Sequence, residues 1–181
     1  MRSSLIAVVL AASSLSIAHA DPKPKAPAKT APKSLVDIKE LSVNFDGNPI
    51  ARMKADGTTE SVGDNKPGKD AKFTPGPTFH ANGTIDLKGG YKLRLDADGE
   101  IYLISPPSAQ KLNQRFARID GNKIRFELDG GLELDGTTIK VISGDHWQAL
   151  GDVSPKEMGR TAMLMATALY VEMAVLDKPT K

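Results

Sequence analysis

The chain has 181 residues, no cysteine, and 24 basic against 22 acidic side chains. That length suits one domain with its own core, and the lack of cysteine excludes a disulfide framework, thiol catalysis and a lipid-tethered cysteine. Lys23, Lys25, Lys29 and Lys33 crowd into one short segment; with these, Arg2 and Asp21 set aside, residues 35–181 hold 19 basic and 21 acidic side chains, a balance that argues against nucleic acid as a partner.

Residues 1–20 read as a secretory signal. Arg2 supplies the positive start, Leu5 to Leu10 the apolar run, and Ala18-His19-Ala20 the small-x-small cleavage site. The run is short of the ~20 apolar residues of a membrane anchor, so no span is expected after its removal, and the location is periplasmic or extracellular. Residues 21–37, rich in Pro, Ala and Lys, cannot bury apolar surface and are expected to form a flexible linker, as a plain spacer or as a basic tether to an envelope polymer.

From residue 38 to 181 the pattern is that of a β-rich domain. Leu41, Val43 and Phe45 alternate with polar residues, Asp46-Gly47 turns the chain, and a second strand from Ile50 to Lys54 ends at Asp56-Gly57. Pro49 cannot donate a ladder hydrogen bond, which suggests a sheet edge. Residues 63–77 read as a polar Gly/Pro/Lys loop. Between Thr84 and Ile104, Ile85, Leu87, Tyr91, Leu93 and Leu95 share one parity and charged residues the other, so one face is buried and pairing is antiparallel. Gly89-Gly90 is either a hairpin turn or a bend within one strand.

Asp120-Gly121 joins Leu112–Ile119 to Lys123–Leu128. A three-residue bulged turn is expected, placing Leu112 and Phe116 with Ile124, Phe126 and Leu128. Asp129-Gly130-Gly131 and Asp135-Gly136 turn the chain into Thr137–Ile142, with Ile139 and Val141 inward. The Asp-Gly steps are too irregularly spaced for a solenoid or propeller. The fold expected is mainly β (α+β): an antiparallel meander of roughly eight to ten strands, as a curled sheet or partly closed barrel, packed on one long C-terminal helix.

That helix is expected over 155–176. Ser154-Pro155-Lys156-Glu157 has the form of a capping box with proline at the first helical position, and Pro179 forbids continuation. Met158, Ala162, Met165, Leu169, Met173 and Leu176 form a stripe for the sheet. Leu164, Val171 and Val175 form a second apolar strip that one flat sheet cannot cover. Enclosure by a curved sheet is the commoner arrangement; the functional reading is a partner face, including an oligomer contact through the back of the helix.

Motifs for catalysis and metal binding are sparse. Asp96 to Gly99 resembles part of a calcium loop, but Arg94 and Ser105 occupy the first and last ligand positions. No GxSxG elbow, P-loop or dinucleotide fingerprint occurs, and no third ligand at metal-binding spacing accompanies His80 or His146, so no cofactor and no metal are expected. The loop 144–153 carries Asp145, His146 and the only tryptophan, Trp147, which either plugs the core or, with its neighbours, offers a stacking surface to a sugar or peptide. The expected function is an exported, non-catalytic binding or structural module of the cell envelope, with a polymer or protein as partner. Two rivals are an envelope hydrolase or lyase using dispersed carboxylates with His146, and a carrier of a small apolar ligand in a cavity between sheet and helix.

Overall fold

A computed structural model describes residues 34–63, 68, 71–109 and 113–176. The signal segment, the linker up to residue 33 and Leu112 lie outside the described residues, as does the side chain of Val175. Twelve strands follow in order: β1 Leu41–Phe45, β2 Asn48–Met53, β3 Thr58–Ser61, β4 Thr74–Phe79, β5 Thr84–Asp86, β6 Lys92–Leu95, β7 Glu100–Ile104, β8 Asn113–Asp120, β9 Lys123–Phe126, β10 Gly131–Asp135, β11 Thr138–Ser143 and β12 His146–Ser154. Each pairs antiparallel with its neighbours in sequence, and β1 closes on β12, giving an up-and-down barrel. The mainly β, antiparallel character and the C-terminal helix are as the sequence indicates; the closed barrel goes beyond the partly closed form expected.

A closed ring of twelve strands has an interior too wide for wall side chains alone to fill. Here the C-terminal helix fills it. A 3₁₀ turn at Lys156–Met158 leads into α1, Gly159–Tyr170, and a π-helical turn follows at Val171–Leu176. From Thr161 to Ala168 every residue of α1 is buried. A helix apolar on all sides belongs inside a core. Leu164 and Val171, which the sequence offered with Val175 as a partner face, are 1% and 0% exposed, so these two face inward and cannot serve as surface. Thr167 remains satisfied by donating to the Met163 carbonyl at 2.9 Å, and Thr161 donates to the Asp37 carbonyl at 3.3 Å.

The expected capping box does not form. Ser154 is the last residue of β12, opposite Ser42, and Pro155 stays extended, so the ladder claims the residue that would have capped the helix. α1 starts behind Met158 without a side-chain cap. The segment 144–153, expected as a loop, is mostly strand: β12 runs from His146, shifting register against β11 between Ile139 and Lys140, which blurs its alternation in sequence. The loop at 63–77 likewise ends in β4, despite Pro75 and Pro77. The β3–β4 ladder shifts register between Thr58 and Glu60, and Pro49 sits where β1–β2 shifts after Val43. In a closed barrel without edges, prolines fall at such irregularities; Pro49 is thus at a bulge, not at a sheet edge.

Three hairpins share a tripeptide: Ala55-Asp56-Gly57, Ala81-Asn82-Gly83 and Ala97-Asp98-Gly99. In each the Asp or Asn side chain accepts from the amide two residues on, at 2.9, 3.0 and 3.3 Å. Each glycine takes a left-handed φ of 87° to 90°. Its carbonyl then accepts, at 2.9 Å, from the first amide beyond the neighbouring hairpin's ladder: Phe79, Leu95 and Ile119 respectively. A side chain is excluded twice, by φ and by space: a Cβ on Gly83 would lie 2.5 Å from the Leu95 carbonyl oxygen. Gly83→Ala is expected to lower stability by roughly 1–3 kcal/mol, read as a drop in the denaturation midpoint.

At Asp120-Gly121 and Asp135-Gly136 the glycine comes first in a two-residue turn. Asp120 faces Lys123 directly, and Asp135 faces Thr138. This overturns the three-residue turn expected after Ile119. The inward residues are Ala117, Ile119 and Ile124, whereas Leu128 is 95% exposed. Gly89-Gly90 turns a true hairpin between β5 and β6.

The turns after β2, β4, β6, β8 and β10, with the start of α1, define the lower end of the barrel. Residues 34–37, assigned to the linker from sequence, close that end: the Leu35 and Val36 amides both donate to the Ala81 carbonyl, and Val36 is buried. The turns after the odd-numbered strands and the end of the helix form the upper end.

Candidate functional site

At the upper end the helix and wall do not meet completely, leaving a cavity of about 340 Å³. Val43, Ile50, Leu132 and Leu150 line it from the wall, and Met165, Ala166 and Leu169 from the helix. The wall contributes apolar side chains because alternate residues of each strand point inward. The helix contributes Met165, Ala166 and Leu169, small or flexible side chains that leave space on this face, whereas Ala162, Met163, Leu164 and Ala168 lie outside the lining.

One wall of the mouth is aromatic. Phe126 stacks on Tyr170 with centroids 5.3 Å apart and planes 5° from parallel, and Phe116 lies 5.5 Å from Phe126. The polar side chains on the lining are Ser61, Ser143 and Asp129; Asp129 Oδ1 accepts from the Gly130 amide at 2.7 Å. Tyr170, Val141 and the half-exposed Met173 are lining residues that also reach solvent, so the cavity opens upward.

The residues picked from sequence lie elsewhere. Asp145, His146 and Trp147 are exposed on the β11–β12 hairpin, with His146 opposite Ser143 and Trp147 opposite Ile142. None of the three lines the cavity. Trp147 is not a core plug: it is 61% exposed, with the Lys140 ammonium 4.5 Å from its ring centre, a cation–π contact. The histidine that meets a carboxylate is His80, whose Nε2 lies 2.8 Å from Asp86 Oδ2 on the outer wall. Lys92 also reaches Asp86 at 2.9 Å. The hydrogen bond from His80, then that from Lys92, hold the Asp86 carboxyl below the ordinary carboxylate value.

The outer wall is otherwise a lattice of ion pairs. Arg52 pairs with Glu60, Arg94 with Asp96, Lys123 with Glu133, and Arg115 with Glu127 at 2.6 Å while lying 3.5 Å from the buried Glu100. Arg115, Arg118, Lys123 and Arg125, close together in sequence, are thus interleaved with acids. The Arg94–Asp96 pair also occupies the stretch that resembled a calcium loop. A barrel crossing a membrane would carry an apolar band where these charges stand. Among the described residues no helix is long and apolar enough to cross a membrane, and no cluster of three or more His, Asp or Glu is placed to hold a metal.

Sequence reasoning had named the cavity as an alternative without its residues. Its lining comes from strands far apart in the chain and from a helix turn whose outward or inward position depends on barrel closure. No family model, no curated protein and no solved structure matches this chain, so the functional reading rests on the barrel and its cavity.

Proposed function

We propose that this protein is an exported, non-catalytic carrier that binds one small apolar molecule between the barrel wall and the end of its central helix. The observation that carries the reading is the cavity itself. Its volume of about 340 Å³ falls in the range of small-molecule sites, roughly 300–1,000 Å³. Its lining is dominated by aliphatic and aromatic side chains, with a few polar groups near the mouth. Apolar lining of this kind favours ligands through area removed from water, at about 25 cal/mol per Å² before ordering costs.

The hydrolase reading called for a cleft in which His146 meets carboxylates from the sheet. His146 stands on an exposed hairpin, and the His80–Asp86 pair lies on the outer wall, with His80 outside the cavity lining. Both arrangements favour binding over catalysis.

The test uses N-phenyl-1-naphthylamine, an uncharged apolar fluorophore. Titration into the folded chain is expected to give saturable, blue-shifted emission at one probe per chain with micromolar Kd. Non-saturable emission no greater than that with the denatured chain would refute the carrier.

A further inference from the structure

We propose that the upper end of the barrel docks on a neutral, zwitterionic lipid surface, so that the apolar ligand passes directly between bilayer and cavity. This rests on the carrier reading above and adds the partner from which the ligand comes.

Among the described residues, the exposed large hydrophobic side chains are Phe45, Leu128, Val141, Trp147, Tyr170 and Met173. All six lie at the upper end. Phe45 precedes the β1–β2 turn, Leu128 the β9–β10 turn, Val141 and Trp147 flank the β11–β12 turn, and Tyr170 and Met173 end the helix. Val141, Tyr170 and Met173 line the cavity; Leu128 adjoins the lining residue Asp129, and Trp147 pairs with the lining residue Ile142. The exposed apolar surface therefore borders the opening along the β1–β2, β11–β12 and β9–β10 turns and the helix end, while the outer wall is charged and the lower end is closed by residues 34–37.

Three features fit a lipid surface better than a protein partner. The apolar groups stand on three separate turns and the helix end beside a hole, not on one flat patch of the kind protein interfaces pack against. A partner seated on those tips would cover the opening and block the ligand's path, whereas a fluid bilayer is itself a source of apolar molecules. Trp147, with the Lys140 ammonium over its ring, is the amphipathic pairing suited to the boundary between headgroups and chains. The described charges on the turns that carry these tips are mainly acidic, Asp46, Glu127, Asp129 and Asp145, with Lys140 held over Trp147. An anionic surface would repel them, so the matching surface is zwitterionic, not anionic.

The experiment takes the chain from Asp21 onward, which holds the twelve described strands and the helix, and floats it with phosphatidylcholine vesicles. The wild-type chain is expected to float, with the emission of Trp147, the only tryptophan, shifted to the blue. Leu128→Asp and Trp147→Asp, both at exposed tips, should each lower partitioning at least fivefold. Binding of N-phenyl-1-naphthylamine, measured without vesicles, should be unchanged in both. A wild-type chain that stays unbound while still taking up the probe would overturn the docking proposal and leave the carrier standing. Binding confined to anionic vesicles would also overturn it, assigning attachment to the lysine-rich segment before residue 34. Floating without saturable probe binding would overturn ligand entry together with the carrier.

Discussion

Leu164→Asp is expected to abolish cooperative folding. Leu164 is 1% exposed at the centre of α1, enclosed by the barrel on the side opposite the stripe that the sequence assigned to the sheet. A carboxylate there would lose its hydration with nothing to replace it, a cost of several kcal/mol even after its pKa shifts. Deleting the buried leucine contacts alone costs about 2–5 kcal/mol. Together these are comparable with the roughly 5–15 kcal/mol by which a domain is stable. Circular dichroism at 25 °C should show loss of the thermal transition. Leu169→Asp, one helical turn and a half further on and only partly buried beside the cavity, should fold with a lowered midpoint, because its carboxylate can reach water at the mouth. A near-normal melt for Leu164→Asp would refute the enclosure of the helix.

Ala166→Phe should cost at least tenfold in affinity for N-phenyl-1-naphthylamine, with little change in thermal midpoint. Ala166 is a small residue on the helix face that lines the cavity, so a phenyl ring there enters unoccupied apolar space and displaces ligand without displacing protein. Such cavity filling is commonly neutral or stabilising. Ala168 gives the contrast: it is fully buried and outside the lining, so Ala168→Phe should overpack the core and destabilise by about 1–3 kcal/mol. Unchanged probe affinity in Ala166→Phe would show that the probe binds elsewhere.

The alternation around Ile85–Leu95 was legible because large apolar and polar residues take turns on either side of Gly89-Gly90; Ile85, Leu87, Leu93 and Leu95 are buried, while Tyr91, next to the turn, is only half-buried. The glycine turns were legible too, since a left-handed φ leaves few other residues to choose. Other stretches misled for identifiable reasons. β4 hides behind Pro75 and Pro77, and β12 behind its shifted register and Gly151, where a Cβ would lie 2.6 Å from the Asn44 carbonyl oxygen. The capping-box signature at Ser154 to Glu157 was present as a string, but Ser154 lies in the seam that closes β12 on β1.

Asp145, His146 and Trp147 attracted notice as rare polar and aromatic residues close together, yet the site with a fitted interior is made of ordinary aliphatic residues. Apolar side chains that fill a core and those that line a cavity have the same composition. Only the volume between them differs.

The sequence by itself determined the local terms: antiparallel strands from period-two alternation, their turns from Asp-Gly and Asn-Gly steps, and an apolar helix at the C-terminal end. It also showed that the helix has two apolar strips, which no single flat sheet could cover. Tertiary structure decided how that was resolved. Closure of β1 on β12 made a ring wide enough to take the helix inside, so Met158, Ala162 and Met165 of one strip and Leu164 and Val171 of the other became core, while Leu169 and Met173 border the cavity that stays open at one end. Closure depends on pairing between residues about 110 positions apart, Ser42 with Ser154 and Asn44 with Asp152, and such a contact leaves no trace in the periodicity of either strand.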